Sequence, residues 1–135
     1  MNKNLQKQSK SLGKFGEDYA HEVLLKKGHK ILARNFHSRY GEIDIISEKN
    51  GAIYFFEVKT RRTTSLNYPE ESITHRKKQR MLQTAYEFLE KENKNSLPGQ
   101  ALPGNPPRKT WRFFLFGILL DGQKIKKVEC LPIFS

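Results

Sequence analysis

The sequence predicts an α/β sandwich around a mixed β-sheet, with helices and strands in the order αβββαββ. Three observations support this prediction. Apolar residues near the N-terminus recur at helical spacing, several short runs further on resemble strands, and an Asn-Gly pair lies between two of these runs. The length of 135 residues suits one domain with a single core.

The first helix is predicted over residues 12–27, where Leu12, Phe15 and later apolar residues form one stripe. Gly28 follows two lysines and is typical of a helix stop. Residues 1–10 are polar and basic, so we expect a flexible arm there. The remaining residues, 11–135, form the single predicted domain.

Strands are predicted over residues 30–36, 41–47 and 52–60, the last rich in β-branched and aromatic residues. Asn50-Gly51 separates the second strand from the third. Because Asn-Gly is the strongest short-range hairpin signal, these two strands should pair across a tight turn.

The second half of the chain contains one helix and two strands by the same criteria. The helix is expected to start with Pro69 in its first turn and to end near Asn93. Four prolines make residues 93–109 a loop. Two final strands, over 110–120 and 124–132, should be joined by a turn at Asp121-Gly122.

The charge balance indicates a polyanionic partner. Lysine and arginine number 25 against 14 acidic residues, a net charge of +11. Such an excess in a small domain attracts nucleic acid first. A merely soluble surface, or a basic patch for acidic membranes, is the alternative.

Cysteine and hydropathy patterns bear on the compartment. Cys130 is the single cysteine, which excludes an intramolecular disulfide, and we expect it to be a small core residue. The N-terminal residues contain no apolar run, and the apolar stretch 113–120 is too short to cross a bilayer. A cytoplasmic location without membrane contact is therefore expected.

The predicted hairpin brings charged residues together. If Asn50-Gly51 is a two-residue turn, Asp44 faces Glu57 and Glu42 faces Lys59. Two opposed carboxylates need a cation, a shared proton or solvent. Mg²⁺ binds through one or two carboxylates, so a metal site is the favoured interpretation. Weak surface ion pairs are the alternative.

These residues also match known patterns. Asp44 followed, after twelve residues, by Glu57-Val58-Lys59 resembles the D…ExK signature of restriction-endonuclease-like nucleases. Further segments look like the YraN-like family of uncharacterised predicted nucleases, which is similar in its motifs to archaeal Holliday-junction resolvases. They are Gly13-Lys14-Phe15-Gly16-Glu17 with Ala20, Arg34-Asn35, Gly41-Glu42-Ile43-Asp44, Glu57-Val58-Lys59-Thr60-Arg61 and Pro69-Glu70. The likeness covers residues 13–89, and Arg112-Phe113-Phe114 departs from the Arg-Phe-Asp of relatives.

The resemblance implies a restriction-endonuclease-like fold and a role for each matching residue. Asp44 and Glu57 would hold Mg²⁺ or Mn²⁺, with the Val58 carbonyl as a further ligand. Lys59 would orient or activate the attacking water, or neutralise charge on the phosphate. Glu17 would approach from the first helix, although a solvated acid is an equal alternative.

Basic residues follow the proposed site in the sequence. We expect those nearest the open end of the hairpin to contact phosphates without reading sequence, and the rest to be solvated. The candidates are Arg61, Arg62, Arg76, Lys77, Lys78 and Arg80.

Three functions remain open from the sequence. The first is a Mg²⁺- or Mn²⁺-dependent endonuclease acting on DNA, with branched recombination or repair intermediates among its substrates. The second is a non-catalytic nucleic-acid-binding module of nuclease fold, and the third a basic scaffold. A homodimer would suit cleavage of two strands, but the sequence identifies no interface.

Overall fold

The computed structural model describes residues 3–64, 73–94 and 110–134. Its elements follow the predicted order, which confirms the fold class. They are α1 (Lys3–Lys26), β1 (Lys30–His37), β2 (Glu42–Lys49), β3 (Ala52–Arg62), α2 (His75–Lys94), β4 (Thr110–Asp121) and β5 (Lys124–Pro132).

The five strands form one mixed sheet in the order β1-β2-β3-β4-β5. β3 and β4 are parallel, and the other neighbouring strands are antiparallel. The chain passes through α2 between β3 and β4, as a parallel pair requires a crossover connection. β3 is the central strand and lies between β2 and β4, and its side chains are less buried toward its C-terminal end, where Arg62 is exposed.

The two helices cover opposite faces of the sheet. Phe55 and Phe56 are consecutive in β3 and so point to opposite faces. Phe56 belongs to a buried cluster with Ala20 and Leu24 of α1. Phe55 belongs to a second cluster with residues of α2, among them Met81 and Phe88. The result is a helix–sheet–helix sandwich with two apolar layers.

The hairpin turn between β2 and β3 has the predicted geometry. Asn50 and Gly51 both have positive φ, at 50° and 78°, which is the type I′ turn that favours Asn-Gly. The pairing then runs without interruption from Lys49–Ala52 to Ile45–Phe56. The predicted register is confirmed over this part of the hairpin.

Helix α1 begins at Lys3, so its predicted start at residue 12 is too late. No proline or glycine lies between residues 3 and 12, and propagating an existing helix costs little even for polar residues. The flexibility of residues 1–10 stays a prediction. The helix ends as expected, because Gly28 takes φ +90° and the His29 N–H donates to the Leu24 carbonyl at 2.9 Å.

Helix α2 begins at His75, later than predicted. Its N-cap is Thr74, whose hydroxyl accepts a hydrogen bond from the Lys77 N–H at 3.2 Å. Pro69 lies outside the described residues, and so does the part of the predicted loop from residue 95 to residue 109.

Two smaller predictions about β5 were wrong. The register pairs Asp121 with Lys124, so Gly122-Gln123 is the turn rather than Asp121-Gly122. Cys130 is exposed rather than part of the core. β5 is an edge strand, and within the described residues most of its side chains face solvent.

Candidate active site

Regular pairing between β2 and β3 stops at the end of the hairpin far from the turn, which we call the open end. The last paired residues are Ile45 and Phe56, one step before the predicted Asp44–Glu57 pair. There the Val58 N–H donates a hydrogen bond of 2.8 Å to the Asp44 carboxylate. A side chain therefore takes the place that a backbone carbonyl has elsewhere in the ladder. The predicted opposition of Glu42 and Lys59 stays a prediction.

Asp44 lies in a strongly acidic environment. Burial and the nearby Glu57 charge raise the pKa of the Asp44 carboxyl from 3.8 to about 7, and Glu17 and Glu42 add to the effect. The Val58 hydrogen bond opposes the increase without cancelling it. We refer to Asp44, Glu57, Glu17 and Glu42 as the acidic cluster.

Glu17 reaches the cluster because α1 approaches β3 very closely one residue earlier. A Cβ atom built on Gly16 would lie 1.8 Å from Thr60 Oγ1, so only glycine allows this approach. Glu17 is largely buried beside β1, where its Oε2 lies 3.8 Å from Nη2 of Arg34. The main partner of Arg34 is Asp18, at 2.8 Å.

Asn35 connects two members of the acidic cluster, a role that the sequence analysis missed. With its amide nitrogen facing the acids, Asn35 donates to Glu42 Oε1 at 3.0 Å and to Glu17 Oε2 at 3.2 Å. Its backbone has φ +52° in the middle of β1, a conformation that asparagine tolerates better than most residues. The only signal in the sequence was that Arg34-Asn35 lies in one of the family-like segments.

Glu57 pairs with a lysine of α2 in this structure. Nζ of Lys77 lies 2.5 Å from Glu57 Oε1, and the Glu57 side chain is only 13% exposed. Lys77 was predicted to contact phosphate. In this structure its ammonium group neutralises one carboxylate of the acidic cluster, and the phosphate contact stays a prediction.

The other predicted basic residues do not form one patch. Arg62 donates to the Gly122 carbonyl at 3.2 Å, near the β4–β5 turn. Lys78 lies over the ring of Phe134. Arg80 lines a groove beside the β1–β2 turn, Arg76 is exposed, and Arg61 is half-buried on β3. Lys77, in contrast, contacts the acidic cluster through Glu57.

The donor set of the acidic cluster suits a hard cation. Over residues 3–64, 73–94 and 110–134, no three acidic, histidine or cysteine side chains are already arranged around a common point. Mg²⁺ does not require such a cage, because it takes one or two carboxylates and completes its shell with waters and substrate phosphates. Asp44 and Glu57 fit that requirement by type, whereas the Val58 carbonyl as a ligand stays a prediction.

Comparison with known proteins assigns a family. The model of the uncharacterised protein family UPF0102 matches residues 16–115. The chain belongs to the UPF0102 family. This confirms the predicted YraN-like membership, and the match includes Glu17, Asp44, Glu57 and Lys59.

The UPF0102 chain is similar to relatives from several bacteria. It is 51% identical over 81 residues to the UPF0102 protein of Persephonella marina, covering 60% of this chain and 70% of that protein. It is 32% identical over 127 residues to the UPF0102 protein of Trichlorobacter lovleyi, covering 93% and 91%. The names of these relatives state no activity. Within the described part of the chain, every helix is too short or too polar to cross a membrane.

Proposed function

We propose that this UPF0102 protein is a Mg²⁺- or Mn²⁺-dependent nuclease that hydrolyses phosphodiester bonds in DNA. The observation that supports it best is Asp44, a largely buried carboxyl held by the Val58 amide among three other acids. A protein that only bound DNA would gain little from acids facing phosphate. The net charge of +11 supplies the attraction to the polyanion.

The metal would be held by Asp44 and Glu57, with the Val58 carbonyl as a further ligand. When bound, the ion would polarise the phosphate and lower the pKa of a water molecule. The raised pKa of Asp44 reflects burial and negative charge, which a divalent cation would offset.

The chain's own residues orient the acidic side chains and neutralise charge on the phosphate. The Val58 amide fixes the orientation of the Asp44 carboxylate, and Asn35 holds Glu17 and Glu42. In the hydrolysis, a water oxygen bonds to phosphorus while the bond to the leaving ester oxygen breaks. The water loses a proton, and the leaving oxygen gains one. Lys59, two residues after Glu57, is proposed to stabilise the negative charge that develops on the phosphate.

Lys77 would change partners during this cycle. In this structure, its ammonium group neutralises Glu57. Lys77 would lose this partner if Glu57 held a metal ion, and its side chain is 45% exposed, so it has room to move toward DNA phosphate. The predicted phosphate contact of Lys77 would then form only in the loaded enzyme.

The proposal is tested by incubating the purified protein with linear duplex, single-stranded and four-way-junction DNA plus Mg²⁺ or Mn²⁺. We expect cleavage that Asp44→Ala and Glu57→Ala each reduce by at least about a hundredfold. Glu22→Ala, which removes an exposed acid of α1, is the matched control and should cleave normally. Cleavage that survives both site substitutions would contradict the assignment.

One observation favours a second function, a nucleic-acid-binding module without catalysis. The Lys77–Glu57 pair already satisfies a carboxylate that a nuclease would use for metal. If that pair is permanent, the protein should bind DNA at low salt but cleave none of the three DNAs with either metal.

A homodimer acting on two strands is part of the same proposal. β5 is a sheet edge that exposes Ile125, Val128 and Leu131. Open edges with apolar side chains are surfaces on which a second chain can pair.

A further inference from the structure

A groove lies between the β1–β2 turn and α2, and Glu42 is the one residue of its lining that the proposed mechanism uses. We call it the turn groove, defined by His37, Tyr40, Glu42, Arg80 and Gln83. Its volume is about 590 Å³, within the range of about 300 to 1,000 Å³ that is usual for small-molecule sites. The groove is open to solvent and mostly polar, so its occupant should be polar and partly solvated.

A chain of hydrogen bonds holds the two walls of the turn groove together. The Tyr40 N–H donates to Ser38 Oγ at 3.0 Å, and Ser38 Oγ lies 3.0 Å from Thr84 Oγ1 on α2. Thr84 in turn donates to the Arg80 carbonyl at 2.8 Å and is fully buried. Because water cannot compete for Thr84, the turn and the helix keep a fixed spacing. A preformed groove avoids the cost of ordering its walls on binding.

The planar groups of the turn groove suit a nucleobase. The guanidinium of Arg39 lies 4.9 Å from the centre of the Tyr40 ring and 3.6 Å from Glu87 of α2. Bases that are not paired stack on tyrosine rings and on guanidinium planes. The Gln83 amide carries both a donor and an acceptor for the edge of a base.

Arg80 adds a group for the phosphate of the same nucleotide. It is exposed on α2, and no acidic side chain in the described segments forms an ion pair with its guanidinium. The planar guanidinium can donate two parallel hydrogen bonds to the oxygens of one phosphate. The turn groove therefore offers separate groups for the base and for the phosphate.

The position of the turn groove connects it to the proposed catalytic centre. Glu42 lines the groove and also belongs to the acidic cluster. A nucleotide in the groove would lie beside the bond to be hydrolysed. A base inside an intact duplex has both faces stacked, and extracting it costs a few kcal/mol. An unpaired base can enter without that cost.

We infer that the turn groove binds an unpaired nucleotide of the DNA, so that the substrate class is DNA with unpaired nucleotides next to the scissile bond. This inference rests on the proposed function. Tyr40 would act as the stacking residue, Gln83 would contact the base edge, and Arg80 the phosphate.

The test is a binding titration with EDTA at low salt, measured by fluorescence anisotropy. Two DNAs of equal length are used, a perfect duplex and a duplex with a short unpaired internal loop. We expect tighter binding of the looped DNA. Tyr40→Ala should weaken looped-DNA binding by roughly tenfold and duplex binding by less than about twofold, since stacking contributes about 1–3 kcal/mol per base.

Two further variants test whether the effect on binding is specific to the Tyr40 ring. Tyr40→Phe keeps the ring and should restore the preference for looped DNA that Tyr40→Ala loses. Tyr86→Ala removes an exposed tyrosine of α2 that packs against Trp111 outside the turn groove, and it should leave the preference for looped DNA unchanged.

The outcomes separate this inference from the proposed function. Equal binding of both DNAs, or equal losses on both with Tyr40→Ala, would overturn the inference and leave the nuclease proposal in place. A Tyr40-dependent preference for looped DNA would support the inference even if no cleavage were found with any metal. Binding of neither DNA would overturn the inference, whereas the cleavage assay with Mg²⁺ or Mn²⁺ decides the nuclease proposal.

Discussion

The two ends of the β2–β3 hairpin are built from the same two strands but differ in strand pairing and in the chemistry of their side chains. At the turn end, Lys49–Ala52 through Ile45–Phe56 pair regularly, and the side chains Ile46, Ser47 and Phe55 are fully buried. At the open end, the pairing stops and carboxylates replace apolar side chains. The first end makes the hairpin stable, whereas the second places acids where burial penalises their charge.

The two ends also differ in the charge that their polar side chains carry. The polar pair at the turn end is His29 and Ser47, joined at 2.9 Å, and burial lowers the pKa of His29 so that the ring is neutral. The open end holds Asp44 with a pKa raised to about 7 by burial and neighbouring acids. A carboxyl whose pKa is raised by burial and by neighbouring acids is typical of functional sites rather than of structural ones.

The largest expected effect tests whether lysines at the two ends differ in function. Lys59→Met should lower the rate of DNA cleavage by roughly a hundredfold to a thousandfold, since it removes a positive charge proposed to stabilise the reacting phosphate. Initial rates at saturating metal measure it.

The control for Lys59 lies on the same hairpin. Lys49→Met removes a lysine next to the turn and should change the cleavage rate by less than about twofold. A charge far from the reacting phosphate affects mainly the rate at which protein and DNA associate. If both substitutions slowed cleavage equally, the loss would reflect overall charge, and the proposed role of Lys59 would be wrong.

The next effect concerns the support of the open end by α1. Gly16→Ala should lower the free energy of unfolding by about 2–3 kcal/mol, because the new Cβ would lie 1.8 Å from Thr60 Oγ1 and 3.2 Å from Thr60 Cβ. Urea denaturation followed by circular dichroism measures the change.

Gly13→Ala is the matched control in the same helix. A Cβ there meets no atom within 4 Å, so this substitution should leave stability unchanged or raise it by up to about 1 kcal/mol through helix propensity. Equal effects at both positions would mean that α1 does not approach β3 as closely as described.

The turn end could be predicted from the sequence, and much of the open end could not. Asn50-Gly51 sets the register locally, through two residues with positive φ. The Lys77–Glu57 pair depends on how α2 packs on the sheet after a long connection, which no local pattern encodes. The Asn35 contacts depend on a left-handed residue inside β1. The resemblance named Asp44, Glu57, Lys59 and Glu17, but not the residues that hold them.

A third prediction concerns the charge of Asp44 without metal. Asp44→Asn should raise the free energy of unfolding by about 1–2 kcal/mol at pH 8 in EDTA, since burial and Glu57 penalise the ionised form. The asparagine side-chain oxygen can still accept the Val58 N–H. Because the folded pKa lies above 3.8, the penalty is absent below that pH and complete above about 7.

The pH profile is what distinguishes repulsion from a structural role of Asp44. The gain from Asp44→Asn should shrink toward zero as the pH falls to about 4. A large loss of stability from Asp44→Asn at every pH would show that the aspartate is a structural partner instead.

The smallest expected effect is at the turn end. Burial, followed by the charges of Lys49 and Lys27, lowers the pKa of His29 from 6.5 in the folded protein. The unfolded chain therefore binds the proton more readily, so the stability that His29 contributes is present above pH 6.5 and is lost as the pH falls below it. The melting temperature of the wild-type protein should fall more steeply between about pH 8 and pH 5 than that of His29→Gln, whose new side chain cannot titrate there.

Ser47→Ala serves as the control for His29, because it keeps the titrating ring and removes its partner at 2.9 Å. This variant should lower stability at all pH values and retain the steeper profile on acidification, since desolvation of the ring is the largest cause of the lowered pKa. Parallel profiles for the wild type and His29→Gln would contradict the prediction. The turn end would then lack the neutral, half-buried histidine that distinguishes it from the acidic open end.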